Sequence, residues 1–130
     1  MQRSVAGLKV LLVEDEALVA MLVEDALAAL QCEVIGSASR LGNARALAER
    51  DGFDLAILDL NLGGEPIYPV AEVLARREIP FVFLTGYGAA GVAEPFRDRP
   101  VLQKPFHLEE LRELLARAVC WRDNPRGNDQ

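Results

Sequence analysis

The 130-residue sequence holds one histidine and two cysteines. Cys32 and Cys120 stand far apart, neither has a CxxC partner, and His107 alone cannot complete a zinc site. Both cysteines therefore read as reduced and structural, with nothing calling for a disulfide. Basic residues are fewer than acidic ones, 14 against 20, for a net charge of −6. That balance disfavours nucleic acid as a partner, because phosphate binding needs clustered Lys and Arg, and the Arg76-Arg77 pair is too small a patch. No window approaches 18 apolar residues, which argues against a transmembrane helix. The stretch before the first apolar run has no signal-peptide core, so the expectation is a cytoplasmic protein with no membrane partner. No internal repeat or low-complexity stretch is present, and the length leaves no room for a second folded domain of ordinary size.

What is present is a globular composition, 51% hydrophobic and 26% charged, enough for one core. Leu8 to Val13 (LKVLLV) is short and apolar at nearly every position, as in a buried parallel strand. It stops at Glu14, Asp15 and Glu16. Ala17 to Leu30 has helical periodicity, which places Val19, Leu22, Val23, Ala26 and Leu30 on the inner face and Met21, Glu24 and Asp25 outside. A second strand is expected over 32–36 and a second helix over 39–50. Strand three covers Asp54 to Leu58 and ends in Asp59. A loop over 61–64 leads to a third helix from about Ile67 to Arg77, with Pro66 and Pro69 in its first turn. Pro80 to Leu84 forms strand four, ending in Thr85-Gly86. The glycine-rich stretch 86–95 is expected to make only a short or poorly ordered fourth helix. Val101 to Gln103 forms strand five, and His107 to Cys120 the last helix, with Leu108, Leu111, Leu115, Ala118 and Val119 inward. Residues 1–7 read as an N-terminal extension, 8–120 as the domain and 121–130 as a polar tail. Strand and helix alternating five times argues a doubly wound α/β fold, a mostly parallel sheet with helices on both faces.

In such sheets ligands sit beyond the carboxyl ends of the strands. Those ends carry Glu14 and Asp15, Asp59, Thr85 and Lys104. Two like charges about 4 Å apart repel by roughly 4 kcal/mol at an effective dielectric of 20. Three carboxylates against one ammonium leave a deficit that a hard dication would balance, and oxygen-only donors favour Mg2+ or Mn2+ over zinc. Each residue alone has a plainer reading: Asp15 or Glu16 could cap the first helix, and Thr85 could be a turn residue. The joint pattern at four strand ends, in order, is what points to a site.

The stretches LLVEDE (11–16), LAILDLNLGG (55–64), FLTGYG (83–88) and VLQKPF (101–106) resemble the receiver domain of two-component response regulators, of the chemotaxis-regulator type. FLTGYG and RPVLQKPF are further similar to the stand-alone FAT-GUY subgroup, named for a Phe-Ala-Thr-Gly-x-Tyr motif, with Leu84 in place of Ala. The resemblance spans about Leu8 to Cys120. It implies a flavodoxin-like (βα)5 fold with a five-stranded parallel sheet in the order 2-1-3-4-5. It implies Asp59 as phosphoacceptor from a histidine kinase or histidine phosphotransfer protein. Asp15, Asp59 and the backbone carbonyl of Asn61 would be Mg2+ ligands, with Glu14 acting through water. Thr85 and Lys104 would contact the phosphoryl group. Such a protein catalyses its own phosphorylation and dephosphorylation and is not a turnover enzyme on a metabolite. Its output is protein binding or onward phosphotransfer. Asn61 and Tyr87 fall at positions that tune hydrolysis. Val101 replaces the Tyr or Phe that many receivers use as a switch, a role that Tyr87 or ordering of 86–95 would have to take. Two alternatives remain: a receiver-like module that binds without phosphorylation, and a receiver cut from a longer regulator. A metabolic phosphatase with an Asp nucleophile is disfavoured by Asn61, where a second Asp would be needed.

Overall fold

The computed structural model describes residues 4–86 and 92–123. The elements in chain order are β1 (Lys9–Val13), α1 (Ala17–Ala29), β2 (Glu33–Ala38), α2 (Leu41–Ala48), β3 (Leu55–Asp59), β4 (Asn61–Leu62), β5 (Glu65–Pro66), α3 (Tyr68–Arg76), β6 (Phe81–Thr85), β7 (Val101–Gln103) and α4 (Leu108–Asp123). Five strands form one parallel sheet in the order β2-β1-β3-β6-β7. This is the expected order, with β6 and β7 as the fourth and fifth sheet strands.

Because side chains alternate across a strand, the central strands feed two cores. Leu11, Val13, Ala56, Leu58, Phe81 and Phe83 pack against α2 and α3. Val10, Leu12, Leu55, Ile57, Val82 and Leu84 pack against α1 and α4. Both faces of β3 and β6 are buried, which is why their sequences read as unbroken apolar runs. The N-terminal stretch contributes too: Val5 is buried, and its carbonyl accepts from Cys32 Sγ at 3.3 Å. Cys32 is a buried thiol.

Several expectations need correction. On α1 the buried residues are Val23 and Leu27, whereas Leu22 is 56% exposed. Apolar residues ring this helix, so periodicity alone does not settle its inner face. On α4, Leu108 is exposed and Leu114 is buried instead. The stretch 61–64 is part of a hairpin. Asn61 and Leu62 pair antiparallel with Pro66 and Glu65, around a two-residue turn in which Gly63 and Gly64 have φ of +59° and +90°, values that favour glycine. Pro66 therefore sits in β5, and only Pro69 lies in the first turn of α3. The short or poorly ordered helix expected over 86–95 falls largely on 87–91, outside the described residues; 94–99 form turns and bends. Residues 87–91, including Tyr87, and the tail from 124 lie outside the described residues.

Candidate phosphoryl and metal site

Strand register assembles the site. Val13 is level with Leu58, and Asp59 with Leu84. Glu14, one residue past β1, thus lies beside Asp59, the last residue of β3. Thr85 ends β6 and is level with Gln103. Its carbonyl accepts the Lys104 N–H at 2.8 Å, which fixes the start of the Lys104 side chain. The result is an open cavity of about 750 Å3 whose lining includes Asp15, Asp59, Asn61, Thr85 and Lys104.

Glu14, Asp59 and Thr85 are the buried polar side chains among the described residues. Lys104 Nζ lies 3.4 Å from Glu14 Oε1, 3.6 Å from Glu16 Oε1 and 3.8 Å from Asp59 Oδ2. Glu14 Oε2 accepts the Glu16 N–H at 3.0 Å, while its buried Oε1 has no hydrogen-bond partner beyond that ionic contact. Asp15 is exposed and accepts the Gly63 N–H at 2.8 Å, so the β4–β5 turn holds one wall of the cavity. The turn is itself closed by Gly64 N–H donating to Asn61 Oδ1 at 2.9 Å, and the Asn61 N–H donates to Asp59 Oδ1 at 3.3 Å. Val101 is partly buried on β7, level with Phe83.

The charges respond to one another. Burial, then the neighbouring Glu14 charge, push Asp59 up to about 7, against the pull of Lys104. Burial alone would raise Asp15, but hydrogen bonds involving Asp59 and Gly63 hold it below its ordinary value. Burial alone would lower Lys104, but Asp59, Glu14 and Glu16 keep its ammonium above its ordinary value. Glu14, Asp15 and Asp59 each offer a carboxylate oxygen, all within 4.8 Å of one another. Oxygen donors only, an unsatisfied buried oxygen and an Asp59 pressed toward neutrality are together what a hard dication would relieve. The residues fit such an ion.

Residues 10–116 match the family model described as the response regulator receiver domain. The chain belongs to that family. The receiver is 49% identical to SdrG from Sphingomonas melonis Fr1, covering 88% of this chain and 97% of that one with a TM-score of 0.79. The BeF3-activated conformation of SdrG, from Pseudomonas melonis Fr1, matches at 46% identity, covering 88% and 98%, with a TM-score of 0.75. The receiver domain of sensor histidine kinase PA1611 from Pseudomonas aeruginosa PAO1, solved with magnesium in its active site cleft, is 25% identical, covering 88% and 99%, with a TM-score of 0.73. The transcriptional regulatory protein PdtaR of Mycobacterium tuberculosis is 32% identical over 115 residues, 85% of this chain and 56% of that protein. The receiver thus spans about half the length, or less, of the curated relatives it matches.

Two residues at this receiver's cavity lie outside the set named from sequence. Tyr68, at the start of α3, lines the cavity, and its hydroxyl accepts the Ala93 N–H at 2.9 Å while its ring stacks on Phe96. The only signal was an aromatic beside Pro69 at a helix start. Glu16 read as a possible cap but makes no side-chain cap bond. No helix of the described residues is long and apolar enough to cross a membrane.

Proposed function

We propose that this receiver accepts a phosphoryl group on Asp59 from the phosphohistidine of a histidine kinase or histidine phosphotransfer protein. It acts in the cytoplasm and signals through protein–protein contact or by passing the group on. The observation that carries this reading is Asp59 itself. It is a carboxylate at the end of a central strand, lining an open cavity with Lys104 Nζ 3.8 Å away and an Asp15 oxygen within 4.8 Å.

A carboxylate oxygen of Asp59 forms the new P–O bond as the P–N bond breaks, and the imidazole leaves with the electron pair. Lys104 offsets negative charge on the group in transit, and the Thr85 hydroxyl donates to a phosphoryl oxygen. Positioning and charge compensation of this kind supply most of phosphoryl-transfer catalysis. Asp15, Asp59 and the Asn61 carbonyl would hold Mg2+, or Mn2+, with Glu14 acting through water. The bound ion supplies further neutralisation of the transferring group. Asn61 tunes hydrolysis of the acyl phosphate, and Tyr87 shares that role, together with the switching that Val101 is too short to make. We take residues 8–120 as the receiver proper, 1–7 as an extension and 121–130 as a polar tail. The BeF3-activated form of SdrG and the magnesium in the PA1611 receiver support this reading.

The donor protein has a natural place to rest. Val19, Leu22, Ala26, Phe106 and Leu108 line an apolar groove that Lys104 also borders, and Leu18 and Met21 lie exposed on the same helix. The greater length of PdtaR favours a second arrangement, in which a receiver of this kind works within a longer regulator. The Asp59 chemistry is common to both. Incubation with a panel of autophosphorylated kinases should give hydroxylamine-labile label on the wild type and none on Asp59→Asn. Label retained on that variant would sink the assignment.

A further inference from the structure

Glu16 occupies the N-cap of α1, where a short oxygen-bearing side chain normally closes a free helical N–H. Its side chain makes no such bond. The carboxylate reaches the mouth of the cavity instead, with Oε1 3.6 Å from Lys104 Nζ and 64% of the side chain exposed. An ion pair this exposed adds little to stability, so neither capping nor the salt bridge explains a glutamate here. What it does change is the charge at the entrance. Glu16 is a fourth carboxylate beside Glu14, Asp15 and Asp59, set against the single ammonium of Lys104.

We propose that Glu16 is a specificity-determining residue of this site, one that disfavours small, strongly anionic phosphodonors and so reserves Asp59 for phosphoryl groups delivered by a protein. The inference rests on the reading of Asp59 as the acceptor. Repulsion from a fixed charge grows with the charge on the donor. A free acyl phosphate meets that repulsion with only Lys104 and the bound ion to offset it, and it makes no contact with the groove. A donor protein gains apolar contact along the groove of Val19, Leu22, Phe106 and Leu108.

Two small donors isolate the charge effect, because neither reaches the groove. Acetyl phosphate enters as a dianion; its P–O bond to the acetyl group breaks and acetate leaves with the electron pair. Phosphoramidate enters with one net negative charge; its P–N bond breaks and ammonia leaves with the pair and the protons it already carries. In both, an Asp59 oxygen forms the new bond to phosphorus. Labelling rates with each donor are compared for wild type, Glu16→Gln and Glu16→Asp, in Mg2+ at low ionic strength. Glu16→Gln should raise the rate ratio of acetyl phosphate to phosphoramidate by about threefold, one charge acting through water across the cavity mouth, and the gain should shrink as salt is added. Glu16→Asp should keep the wild-type ratio. Label on all three proteins with an unchanged ratio in Glu16→Gln, or with Glu16→Asp following Glu16→Gln, overturns the inference and leaves the acceptor reading standing. No label on any of the three from either donor overturns the inference, because removing the charge then admits no small donor, and the acceptor reading is decided separately by the kinase panel with Asp59→Asn.

Discussion

Asp59 is a carboxylate that the fold presses toward its neutral form. It sits 6% exposed, and burial together with the Glu14 charge pushes it up to about 7 from an ordinary 3.8, with Lys104 pulling the other way. Between those two values the native state holds a proton that the unfolded chain has released. Without divalent cations, stability from this group is therefore full below about pH 4, falls as pH rises toward 7, and is level above. The whole effect amounts to about 4 kcal/mol. Asp59→Asn removes it. In EDTA, urea unfolding should find Asp59→Asn more stable than wild type at pH 8, with the gap closing as pH drops toward 4. A gap that widens on acidification would show that Asp59 is not held up in the native state. The same tension has a functional side, since the group that must be an anion to attack phosphorus is the one the metal-free site disfavours as an anion.

Helix α1 carries two different apolar surfaces. Leu27 is fully buried against the sheet, and Leu22, five residues earlier, is 56% exposed. Leu27→Ala should cost about 2–5 kcal/mol, while Leu22→Ala should stay within about 0.5 kcal/mol. Urea midpoints decide this, and a larger loss at Leu22 would restore the inner face that periodicity suggests. The contrast shows where sequence stops being informative. β1, β3 and β6 are legible because strands buried on both faces need unbroken apolar runs, and their polar stops Glu14, Asp59 and Thr85 mark the site's edge at once. The inner face of α1 is not legible, because Leu18, Met21 and Leu22 make the outer side apolar too. The β4–β5 hairpin escapes notice because two-residue strands carry no period, although Gly63-Gly64 was a turn signal in plain view. Tyr68 and Glu16 were hidden for a different reason. Their importance lies in contacts with Ala93 and Lys104, which the chain brings near only once folded.

At the scale of the whole molecule, charge and apolar surface are sorted to different places. The two layers of helices close both faces of the sheet with hydrophobic contact, while the carboxyl edge gathers Glu14, Asp15, Glu16 and Asp59 around one lysine. That edge gathers like charges that one ammonium only partly offsets, so an ion bound there should act on the stability of the entire domain. A ligand that binds only the native state stabilises it by about 2.7 kcal/mol at a hundredfold excess over Kd, worth roughly 10 °C for a domain of this size. Mg2+ competes with the proton on Asp59, so its benefit should depend on pH, large at pH 8 where the ion replaces no proton and small at pH 5 where it must displace one. Calorimetric melts with Mg2+ and with EDTA at the two pH values should show this difference, and Asp15→Asn should abolish it. An equal Mg2+ effect at both pH values, or one that survives in Asp15→Asn, would mean that the ion binds elsewhere and that the acidic edge is balanced by some other cation.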